Sequence, residues 1–595
     1  MMISKGLKVH FNGWYCEQLK MQAKSLFGVL DEVWNDIKDS KWIGGISEGW
    51  ERLPYYLNGL IPLAYALDDN ELIQKSKKYI DIIINLQRED GKICPQNDTD
   101  AAALDLWSLF LVLKVLTIYA ELSDDERIIP VLKKALNYID LYLRGNTIFN
   151  WGHARYFECF IPILYLKKRI SSSKYQKFLI ALTHKLASQG LDYQEAAKLW
   201  DEVHHYWSYD THGVNIAMAL KAQALYAAIT GEKHGISAED MLKILDEKHG
   251  TCYGHFTSDE CLAGPSPYQG AELCGVVEAM YSYEILFSLT KNPYWIERLE
   301  KLAYNGLAAT MTDDMWAHQY DQQVNQIVCK PLEGKIPFIT NGNEANVFGL
   351  EPNYGCCTAN FGQGWPLMAF TCFEKTKTGI KIHIPLAAKI SCEDYTLEIK
   401  TDYPFKKTVC LKADNDIMVM LKVPFGAKVK GYRKKHGYIY VNLQKDVDTI
   451  ITYQYEPKLT LRSTGLSVLN YGPLVFALPI DYETCIKEYI SNNVERKYPY
   501  CDYYFIPKTE WRYAFNSHQF KVIEMPFKKA FDRQNPPLFI ETKMIRVAWK
   551  YQKGSQAALK NKPDKFLKTT KNVKLQPYGA TYLRMTEMLD ARDNK

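Results

Sequence analysis

The sequence predicts a mainly α protein with β: one large helical domain followed by one or two antiparallel β-sandwich domains. Two observations lead to this prediction. From about residue 15 to residue 375, apolar residues recur at the spacing of one helix face, with Gly, Pro, Asn and Asp between the segments. After about residue 376, apolar and polar residues alternate in short runs that are typical of antiparallel strands. We therefore predict a helical domain over 1–375 and β domains over 376–480 and 481–595.

The helical region contains about twelve amphipathic segments joined by short connections, which favours antiparallel neighbours that close as helical hairpins. The clearest helices are predicted over 71–87, 101–122, 125–143, 175–190 and 212–231. In the β region, the clearest strands lie within 379–392, 395–402, 416–425, 437–444 and 448–456. The basic segment 550–572 is predicted to be an exposed loop, because runs of charge are usually solvated.

Composition limits the class of protein. Hydrophobic residues make up 47% of the 595 residues and charged residues 24%, which is typical of a folded chain with a large core. The 73 Lys and Arg and 68 Asp and Glu leave a net charge of +5 with no basic block, which argues against nucleic acid as a partner. No apolar run reaches the length of about 18 residues that a membrane span needs, and the opening residues lack the apolar core of a secretory signal. We expect a cytoplasmic protein with no membrane partner, in which most of the 14 cysteines are free thiols.

Four side chains from two distant segments form a candidate zinc site. Cys356 and Cys357 are adjacent in GCCTAN, and neighbouring cysteines rarely bridge each other without strain. Glu272 and Cys274 precede a strong amphipathic helix, and both can reach one point if they lie at a helix start or in irregular backbone. Three thiolates and one carboxylate complete a tetrahedral zinc site, and a zinc-bound thiolate stays in its nucleophilic, deprotonated form. The spacing matches no zinc-finger signature, so a pair of buried free thiols is the alternative.

Several longer motifs then carry a family resemblance across most of the chain. They are WIGG (42–45) with EGWERLPYYLNGLIPLAYAL (48–67), DYQEAAKLWDEVHHYWSYDTHGVNIAMALKAQAL (192–225), GAELC (270–274), HQYDQQVNQ (318–326), LEPNYGCCTANFGQGWP (350–366) and PYGATYLRMTE (577–587). In these motifs the sequence resembles the DUF1680 superfamily of glycoside hydrolases, which includes the GH127 β-L-arabinofuranosidases. The resemblance implies an (α/α)6 barrel followed by β-sandwich domains.

The resemblance also implies an active centre. Glu272, Cys274, Cys356 and Cys357 match the family's zinc ligands, and Cys356 matches its nucleophile. The Cys356 thiolate would attack the anomeric carbon, and water would resolve the thioglycosyl-enzyme with retention of configuration. A glutamate upstream of GAELC serves the family as general acid and then general base. Our candidate is Glu260, next to Asp259; a solvated acidic loop is the alternative.

Substrate binding is predicted for residues in three further segments. His212 in THGVN matches a histidine that lines the family's sugar pocket, and a helix cap or a satisfied core residue is the alternative. The polar run of HQYDQQ offers groups that suit paired sugar hydroxyls, or that stitch loops together: His318, Gln319, Asp321, Gln322 and Gln323. A pocket rim, or for the aromatic residues plain core packing, is predicted for Trp50, Glu51, Arg52, Tyr209 and Trp365.

The predicted function is a zinc-dependent retaining exo-glycoside hydrolase with a cysteine nucleophile, acting on a β-L-arabinofuranoside or a related sugar in an oligosaccharide or glycoside. One alternative is a divergent member of the family that acts on another glycoside or by another reaction. A second is a non-catalytic carbohydrate-binding protein, since zinc sites with four protein ligands are usually structural. The β domains are expected to cover the barrel and to mediate contact between subunits, as in a homodimer.

Overall fold

Helices occupy most of the chain up to Ala369. The structure is a computed structural model, and it describes residues 6–95, 105–552, 559–560 and 562–592. The α-helices span Gly13–Lys24, Leu30–Val33, Asn35–Lys38, Arg52–Leu67, Asn70–Asn85, Trp107–Ser123, Ile128–Tyr142, Asn150–Ala154, Phe160–Lys167, Ser173–Gln189, Tyr193–Ala196, Gly213–Ala219, Ala222–Thr230, Ala238–Lys248, Leu273–Thr290, Pro293–Lys301, Gly355–Asn360 and Gly364–Ala369.

The predicted helices agree with these bounds to within about three residues at 71–87, 125–143 and 175–190. Residues 101–104 of the predicted helix 101–122 lie outside the described residues, and the helix begins at Trp107. The predicted helix 212–231 is instead two helices that break at Leu220 and Lys221. At this break the Lys221 ammonium turns into the core and lies 2.5 Å from the Glu158 carboxylate.

The helices Leu273–Thr290 and Arg52–Leu67 are largely apolar and buried on nearly every side, in the interior of the helical region. The helix Leu273–Thr290 is buried from Leu273 to Phe287 and packs against Gly213–Ala219 and Pro293–Lys301. The helix Arg52–Leu67 is buried from Leu53 to Ala64 and packs against Gly355–Asn360. A helix without a polar face belongs in a core. These two helices therefore bring the segments that hold the candidate site residues into contact.

Strands dominate the chain after Ala369. They span Lys8–Phe11, Gly270–Glu272, His318–Gln319, Asp321–Gln323, Phe348–Gly349, Phe373–Thr376, Gly379–Ile382, Ala388–Ser391, Thr396–Lys400, Thr408–Ala413, Ile417–Lys422, Lys428–Val429, Tyr438–Leu443, Thr449–Gln454, Lys458–Leu461, Ser467–Tyr471, Leu474–Pro479, Tyr482–Lys487, Tyr489–Ser491, Val494–Arg496, Asp502–Pro507, Tyr513–Phe515, Lys521–Glu524, Leu538–Val547, Phe566–Pro577 and Arg584–Met585.

The first β region is built from a six-stranded sheet and a four-stranded sheet. Lys8–Phe11, at the start of the chain, forms an edge of the six-stranded sheet by pairing antiparallel with Ala388–Ser391. The Tyr453 hydroxyl of this sheet donates to the Lys422 carbonyl of the four-stranded sheet at 3.1 Å. Most strands in both sheets alternate buried and exposed residues, so one face of each sheet lies in the core.

The C-terminal strands are joined directly to the helical region. A four-stranded sheet has the order Tyr482–Lys487, Asp502–Pro507, Phe348–Gly349 and His318–Gln319. An eight-stranded sheet contains the long pair Leu538–Val547 and Phe566–Pro577. The prediction of an exposed loop over 550–572 is wrong from Phe566 onward, because that part pairs along Leu538–Val547 while its side chains stay mostly exposed. Residues 553–558 and 561 of that segment lie outside the described residues.

Over the ranges that the structure describes, no helix combines the length and the apolar composition required to cross a membrane.

Candidate active site

A cluster of one carboxylate and three thiols forms where two helices begin. Glu272 immediately precedes the helix Leu273–Thr290, so Glu272 and Cys274 lie at a helix start as the sequence requires. Cys356 and Cys357 lie in the first turn of the helix Gly355–Asn360. One ligand atom from each of the four lies within 4.8 Å of all the others. Glu272 Oε1 is 3.8 Å from Cys356 Sγ and 3.6 Å from Cys357 Sγ.

A buried carboxylate fastens these two helices to each other. Glu278 follows Cys274 by one helical turn, and its Oε1 accepts hydrogen bonds from Asn360 Nδ2 at 3.2 Å and Gln363 Nε2 at 2.9 Å. Asn360 ends the helix that carries Cys356 and Cys357. Glu278 therefore fixes the distance between the two pairs of cluster residues.

Two buried lysines balance the charge of Glu278. Lys114 lies 3.4 Å from Glu278 and 3.5 Å from Glu158, and Lys221 lies 2.5 Å from Glu158. All four side chains are 0% exposed. The nearby lysines keep the pKa of Glu278 below its ordinary value even though burial raises it. Two positive and two negative groups thus neutralise each other in the core behind the cluster.

The four cluster residues differ in acidity. Hydrogen bonds from Cys274 and Cys357 hold the pKa of the Cys356 thiol well below its ordinary value, and the positive charge of Arg52 acts in the same direction. Burial raises the pKa values of Glu272, Cys274 and Cys357 well above their ordinary range. Cys356 is the member of the cluster that is partly exposed. The most acidic sulfur is therefore also the most accessible one.

The cluster fits a divalent cation by its donor set. Glu272 Oε2 is buried and has no hydrogen-bond partner among the described residues. A buried oxygen without a partner is costly, and a bound cation would satisfy it. Sulfur and carboxylate oxygen together are a donor set that Zn²⁺ accepts in tetrahedral sites.

The Glu260 carboxylate lies beside the cluster and is 8% exposed, so the alternative of a solvated acidic loop is wrong. The Tyr320 hydroxyl donates to Glu260 Oε1 at 2.6 Å and lies 3.5 Å from Cys356 Sγ. His212 Nε2 lies 3.4 Å from Glu260 Oε2. Ligand atoms of His212, Glu260 and Glu272 also lie within 4.8 Å of one another. A carboxylate and a thiol therefore both contact the hydroxyl of one tyrosine.

The backbone around Glu260 is held by two contacts. The Gly213 N–H donates to the Glu260 carbonyl at 2.8 Å, and a side chain at position 213 would collide with Ser258, because an ideal Cβ there lies 2.0 Å from Ser258 Oγ. Asp259 Oδ1 accepts from the Gly270 N–H at 2.6 Å. Asp259 thus anchors the Glu260 segment to the strand that ends at Glu272.

His212 is a helix cap, the alternative to sugar binding, and its contact with substrate stays a prediction. It precedes the helix Gly213–Ala219, and its Nδ1 accepts from the Asn215 N–H at 3.3 Å, as a helix cap does. Its Nε2 remains directed at Glu260. The cap therefore orients the imidazole toward the cluster.

The polar run from His318 to Gln323 is buried, and its side chains bond to protein groups. His318 Nε2 contacts the Leu350 carbonyl at 3.0 Å, and Gln319 Nε2 donates to the Asn346 carbonyl at 2.7 Å. Gln322 Nε2 donates to the Gly306 carbonyl at 2.8 Å. These contacts favour the alternative that the run stitches loops together.

The remaining members of the run have similar partners. Asp321 Oδ2 accepts from Asn341 Nδ2 at 3.0 Å, and Gln323 Nε2 donates to the Tyr268 carbonyl. Substrate contact by His318, Gln319, Asp321 and Gln322 stays a prediction.

The residues predicted for the pocket rim divide into three groups. Glu51 Oε1 accepts from Arg52 at 2.6 Å, and the pKa of Arg52, which burial acts to lower, is raised by the negative charges of Glu51 and Cys356. Trp50 and Tyr209 both lie against Trp151, with ring centroids 6.0 and 5.2 Å away. Trp365 is instead a core residue that is 1% exposed and packs against Trp14, Tyr15 and Phe531.

Sequence reasoning missed three residues at the site. Tyr320 lies in the middle of HQYDQQ, but the polar residues on both sides of it were selected on chemical type. Trp151 and Trp207 lie within 5.3 and 5.7 Å of the His212 ring. Trp207 precedes the THGVN motif closely in sequence, which was the available signal, whereas Trp151 is brought in by the fold.

Comparison with known proteins identifies the family of the chain. Residues 40–365 match the family described as the β-L-arabinofuranosidase GH127 catalytic domain. The match covers more than half of the chain, so the protein is a glycoside hydrolase that belongs to the GH127 β-L-arabinofuranosidase family. None of the proteins with curated function matches the sequence.

Three solved structures share the fold at low sequence identity. A protein described as a glycoside hydrolase superposes with a TM-score of 0.69 at 14% identity, over 99% of this chain and 97% of its own. A GH127 β-L-arabinofuranosidase from Geobacillus stearothermophilus T6 gives 0.66 at 14% identity, with 98% of both chains covered. A GH127 β-arabinofuranosidase gives 0.65 at 16% identity, over 100% of this chain and 98% of its own. At this identity the likeness shows the fold, which extends over the helical and the β regions alike.

Proposed function

We propose that the protein is a zinc-dependent, retaining exo-glycoside hydrolase that uses Cys356 as its nucleophile and Glu260 as its acid and base. The proposed substrate is a terminal β-L-arabinofuranoside or a closely related sugar. We also propose that the helices close as an (α/α)6 barrel, supported by the pairwise packing of neighbouring helices. The cytoplasmic location and the homodimer stay predictions.

The shared contact of Tyr320 carries the proposal. Its hydroxyl is 2.6 Å from Glu260 Oε1 and 3.5 Å from Cys356 Sγ. Glu260 Oε1 and Cys356 Sγ therefore lie no farther apart than the sum of these two distances. That bound is shorter than the roughly 6.5–9.5 Å between the carboxyl groups of inverting glycosidases. This short separation supports direct attack by Cys356 and proton transfer by Glu260, which is the arrangement of a retaining enzyme.

The roles of the side chains follow from their surroundings. The Cys356 sulfur attacks the anomeric carbon and forms a C–S bond as the bond to the leaving oxygen breaks. Glu260 gives that oxygen its proton, and the resulting carboxylate then takes a proton from the water that hydrolyses the thioglycosyl-enzyme. Tyr320 orients the Glu260 carboxyl through its hydrogen bond, and His212 faces the other carboxyl oxygen. The low exposure of Glu260 limits access of bulk water.

Glu272, Cys274, Cys356 and Cys357 would hold the zinc. When bound, the ion would keep the sulfurs deprotonated and offset the buried negative charge of Glu272. The partnerless Glu272 Oε2 and the mutual distances within 4.8 Å support this assignment.

The non-catalytic alternative requires the same metal but no turnover, and membership of a hydrolase family argues against it. The alternative of another sugar or reaction is an outcome of the substrate test. Aryl glycosides of several pentoses and uronic acids distinguish it, because release from a different sugar, or unsaturated products, would replace the arabinofuranoside.

The first experiment measures zinc per chain by mass spectrometry together with the anomeric configuration of the first product by NMR. We expect about one zinc per chain and a product of retained configuration. Cys356→Ser should reduce kcat by at least about a thousandfold, because removal of a nucleophile removes the covalent route. Cys392→Ser is the matched control, since Cys392 is also partly exposed but lies in the first β region. Inverted product, or near-normal activity of Cys356→Ser, would contradict the mechanism.

A further inference from the structure

A cavity of about 470 Å³ lies where the helical region meets both β regions. Its lining comes from the helix Pro293–Lys301, from the loop after the strand Ile417–Lys422, and from the strands Lys458–Leu461 and Ser467–Tyr471. Its volume falls within the range of small-molecule sites. The residues that line it include none of the candidate active-site residues. The cavity is therefore separate from the reacting groups.

The Lys301 ammonium lines this cavity without a partner. Within the described part of the chain it makes neither an ion pair nor a hydrogen bond. Burial, together with the positive charges of Arg462 and Arg298, lowers the pKa of Lys301 to about 8, so the ammonium is still mostly charged at pH 7. Cys252 also lines the cavity, but burial raises the pKa of its thiol to about 12. The uncharged thiol therefore does not neutralise Lys301.

The cavity wall around Lys301 carries more positive than negative charge. Arg298 and Arg462 both line the cavity, and each has one acidic partner. Arg298 Nη1 lies 2.6 Å from Asp246, and Arg462 Nε lies 3.3 Å from Glu587. Burial raises the pKa of Glu587 to about 7, so this partner is incompletely ionised at neutral pH. The two acids therefore offset at most the two arginines, and an excess of at least one positive charge remains.

The two glutamates of the same helix that line the cavity bond to other residues. Glu297 Oε1 lies 3.0 Å from Lys422 Nζ. Glu300 Oε1 accepts from the Tyr403 hydroxyl at 2.7 Å, and burial raises the pKa of Glu300 to about 7. Neither glutamate forms an ion pair with Lys301, so the charge of its ammonium stays unmatched.

Aromatic side chains form another part of the lining. Phe425 is 69% exposed, and Tyr294 is 36% exposed. The Tyr455 hydroxyl is buried and has no hydrogen-bond partner among the residues that the structure describes. The lining also includes Glu456 and Lys458, two solvent-exposed residues of opposite charge. The cavity thus combines one unmatched cation with aromatic surface that a ligand could cover.

We propose that this cavity binds an organic phosphomonoester, with the phosphate against the Lys301 ammonium and the organic part against Phe425 and Tyr294. Lysine binds phosphate as a point charge. A phosphomonoester carries about −1.5 to −2 charges at pH 7, which matches the excess of positive charge better than the single charge of a carboxylate. The inference goes beyond the proposed function and does not depend on it, because none of these residues takes part in the proposed mechanism.

The test is calorimetric titration of the full-length protein with phenyl phosphate, inorganic phosphate and benzoate. Phenyl phosphate should bind more tightly than the other two, because it alone has both a phosphate and a ring. Lys301→Met should weaken binding of phenyl phosphate at least tenfold, since a charge-assisted hydrogen bond is lost. Lys412→Met is the matched control and should leave binding unchanged. Lys412 is also partly buried, but it lies on the strand Thr408–Ala413, outside the cavity lining.

Two further measurements separate a ligand site from a structural role. Phe425→Ala changes an exposed side chain and should weaken binding of phenyl phosphate while binding of inorganic phosphate stays the same. The melting temperature of unliganded Lys301→Met should be no lower than that of wild type, because the ammonium loses no partner. A lower value would indicate a structural role and contradict the proposal. Absence of binding to wild type, or equal binding of phenyl phosphate by Lys301→Met, would overturn it. Equal affinity of wild type for phenyl phosphate and inorganic phosphate, or for phenyl phosphate and benzoate, would overturn the assignment to a phosphomonoester.

Discussion

Replacement of Glu278 tests whether the buried charge network sets the geometry of the cluster. In the native protein, Glu278 and Glu158 are balanced by Lys114 and Lys221, and all four side chains are fully buried. Glu278→Gln keeps the size of the side chain and an oxygen that accepts from the amide of Gln363, but it leaves two cations with one anion. Breaking a buried pair in this way costs about 3–5 kcal/mol, because an uncompensated charge remains in the core.

A second replacement should recover most of that loss. In Glu278→Gln/Lys114→Met the pair of Lys221 and Glu158, 2.5 Å apart, remains and the net charge of the core is again zero. Replacing a whole buried pair is often close to neutral, whereas breaking one is not. The double variant should therefore be more stable than Glu278→Gln alone, although it has lost more polar groups.

The assay is the denaturant midpoint of the helical circular dichroism signal, with zinc retention measured by competition with a chelator. Midpoints are compared between variants, since a chain with several domains need not unfold in two states. We expect Glu278→Gln to lose zinc more readily than wild type, because Glu278 holds the helix of Cys274 to that of Cys356. Equal stability of the single variant and wild type, or a double variant less stable than the single one, would refute the charge-balance argument.

Three further predictions concern the acid and its loop. Tyr320→Phe should lower kcat/KM about ten- to hundredfold, because it removes the hydrogen bond of 2.6 Å to Glu260, and steady-state kinetics measures this. Gly213→Ala should lower both kcat and the melting temperature, since the new Cβ lies 2.0 Å from Ser258 Oγ; Ser258→Gly in the same chain should restore part of each. Burial lowers the pKa of His249 from 6.5 to about 4. Between pH 6.5 and 4 this histidine is therefore protonated more in the unfolded chain than in the folded one. Its contribution to the free energy of unfolding should fall by about 3 kcal/mol as the pH drops from 6.5 to 4. His249→Gln should lessen that fall, measured as the denaturant midpoint against pH.

The controls follow from the same contacts. Tyr79→Phe removes a buried hydroxyl that bonds to Asp31, far along the chain from Glu260, and should leave kcat/KM unchanged. Gly145→Ala adds a methyl group to open space and should be neutral. Burial also lowers the pKa of other histidines, for example that of His318 to about 4. The contribution of His249 is therefore taken as the difference in the pH dependence of the denaturant midpoint between His249→Gln and wild type. An unchanged pH dependence in His249→Gln would contradict the assignment, as would a fully active Tyr320→Phe.

Local sequence patterns predicted the elements of the fold because helices and antiparallel strands repeat over a few residues. The helix Asn70–Asn85, for example, follows from its apolar periodicity and from Asp69, which accepts from the Glu71 N–H at 3.0 Å. The same approach failed at 566–572, where charged residues form a strand because Leu538–Val547 offers a partner. Pairing between distant segments has no local signature.

Motif resemblance predicted the cluster and Glu260, but not what holds them. Glu278 is one of two acidic residues in a largely apolar helix, and its partners Asn360 and Gln363 come from a segment 82 residues or more away. Tyr320 lies among more polar residues in HQYDQQ and was therefore not predicted to belong to the site. Sugar binding was predicted for the polar run around Tyr320 from the chemical type of its residues alone. In the structure the side chains of the run bond to protein groups of other segments, which the local sequence does not indicate.

The junction between the 318–326 segment and the end of the chain has a consequence for biosynthesis. Asn325 Nδ2 donates to the Glu587 carbonyl at 2.8 Å, Gln326 exchanges backbone hydrogen bonds with Arg584, and the Tyr578 hydroxyl donates to Gln322 at 3.0 Å. Residues 578–587 are synthesised after the thiols and Glu260, so a nascent chain lacks these partners when the reacting groups emerge. A nascent chain therefore holds every reacting group before it holds the residues that support the strand next to Tyr320. A variant truncated before Tyr578 should therefore keep every reacting group but lose this support, and its kcat/KM should fall.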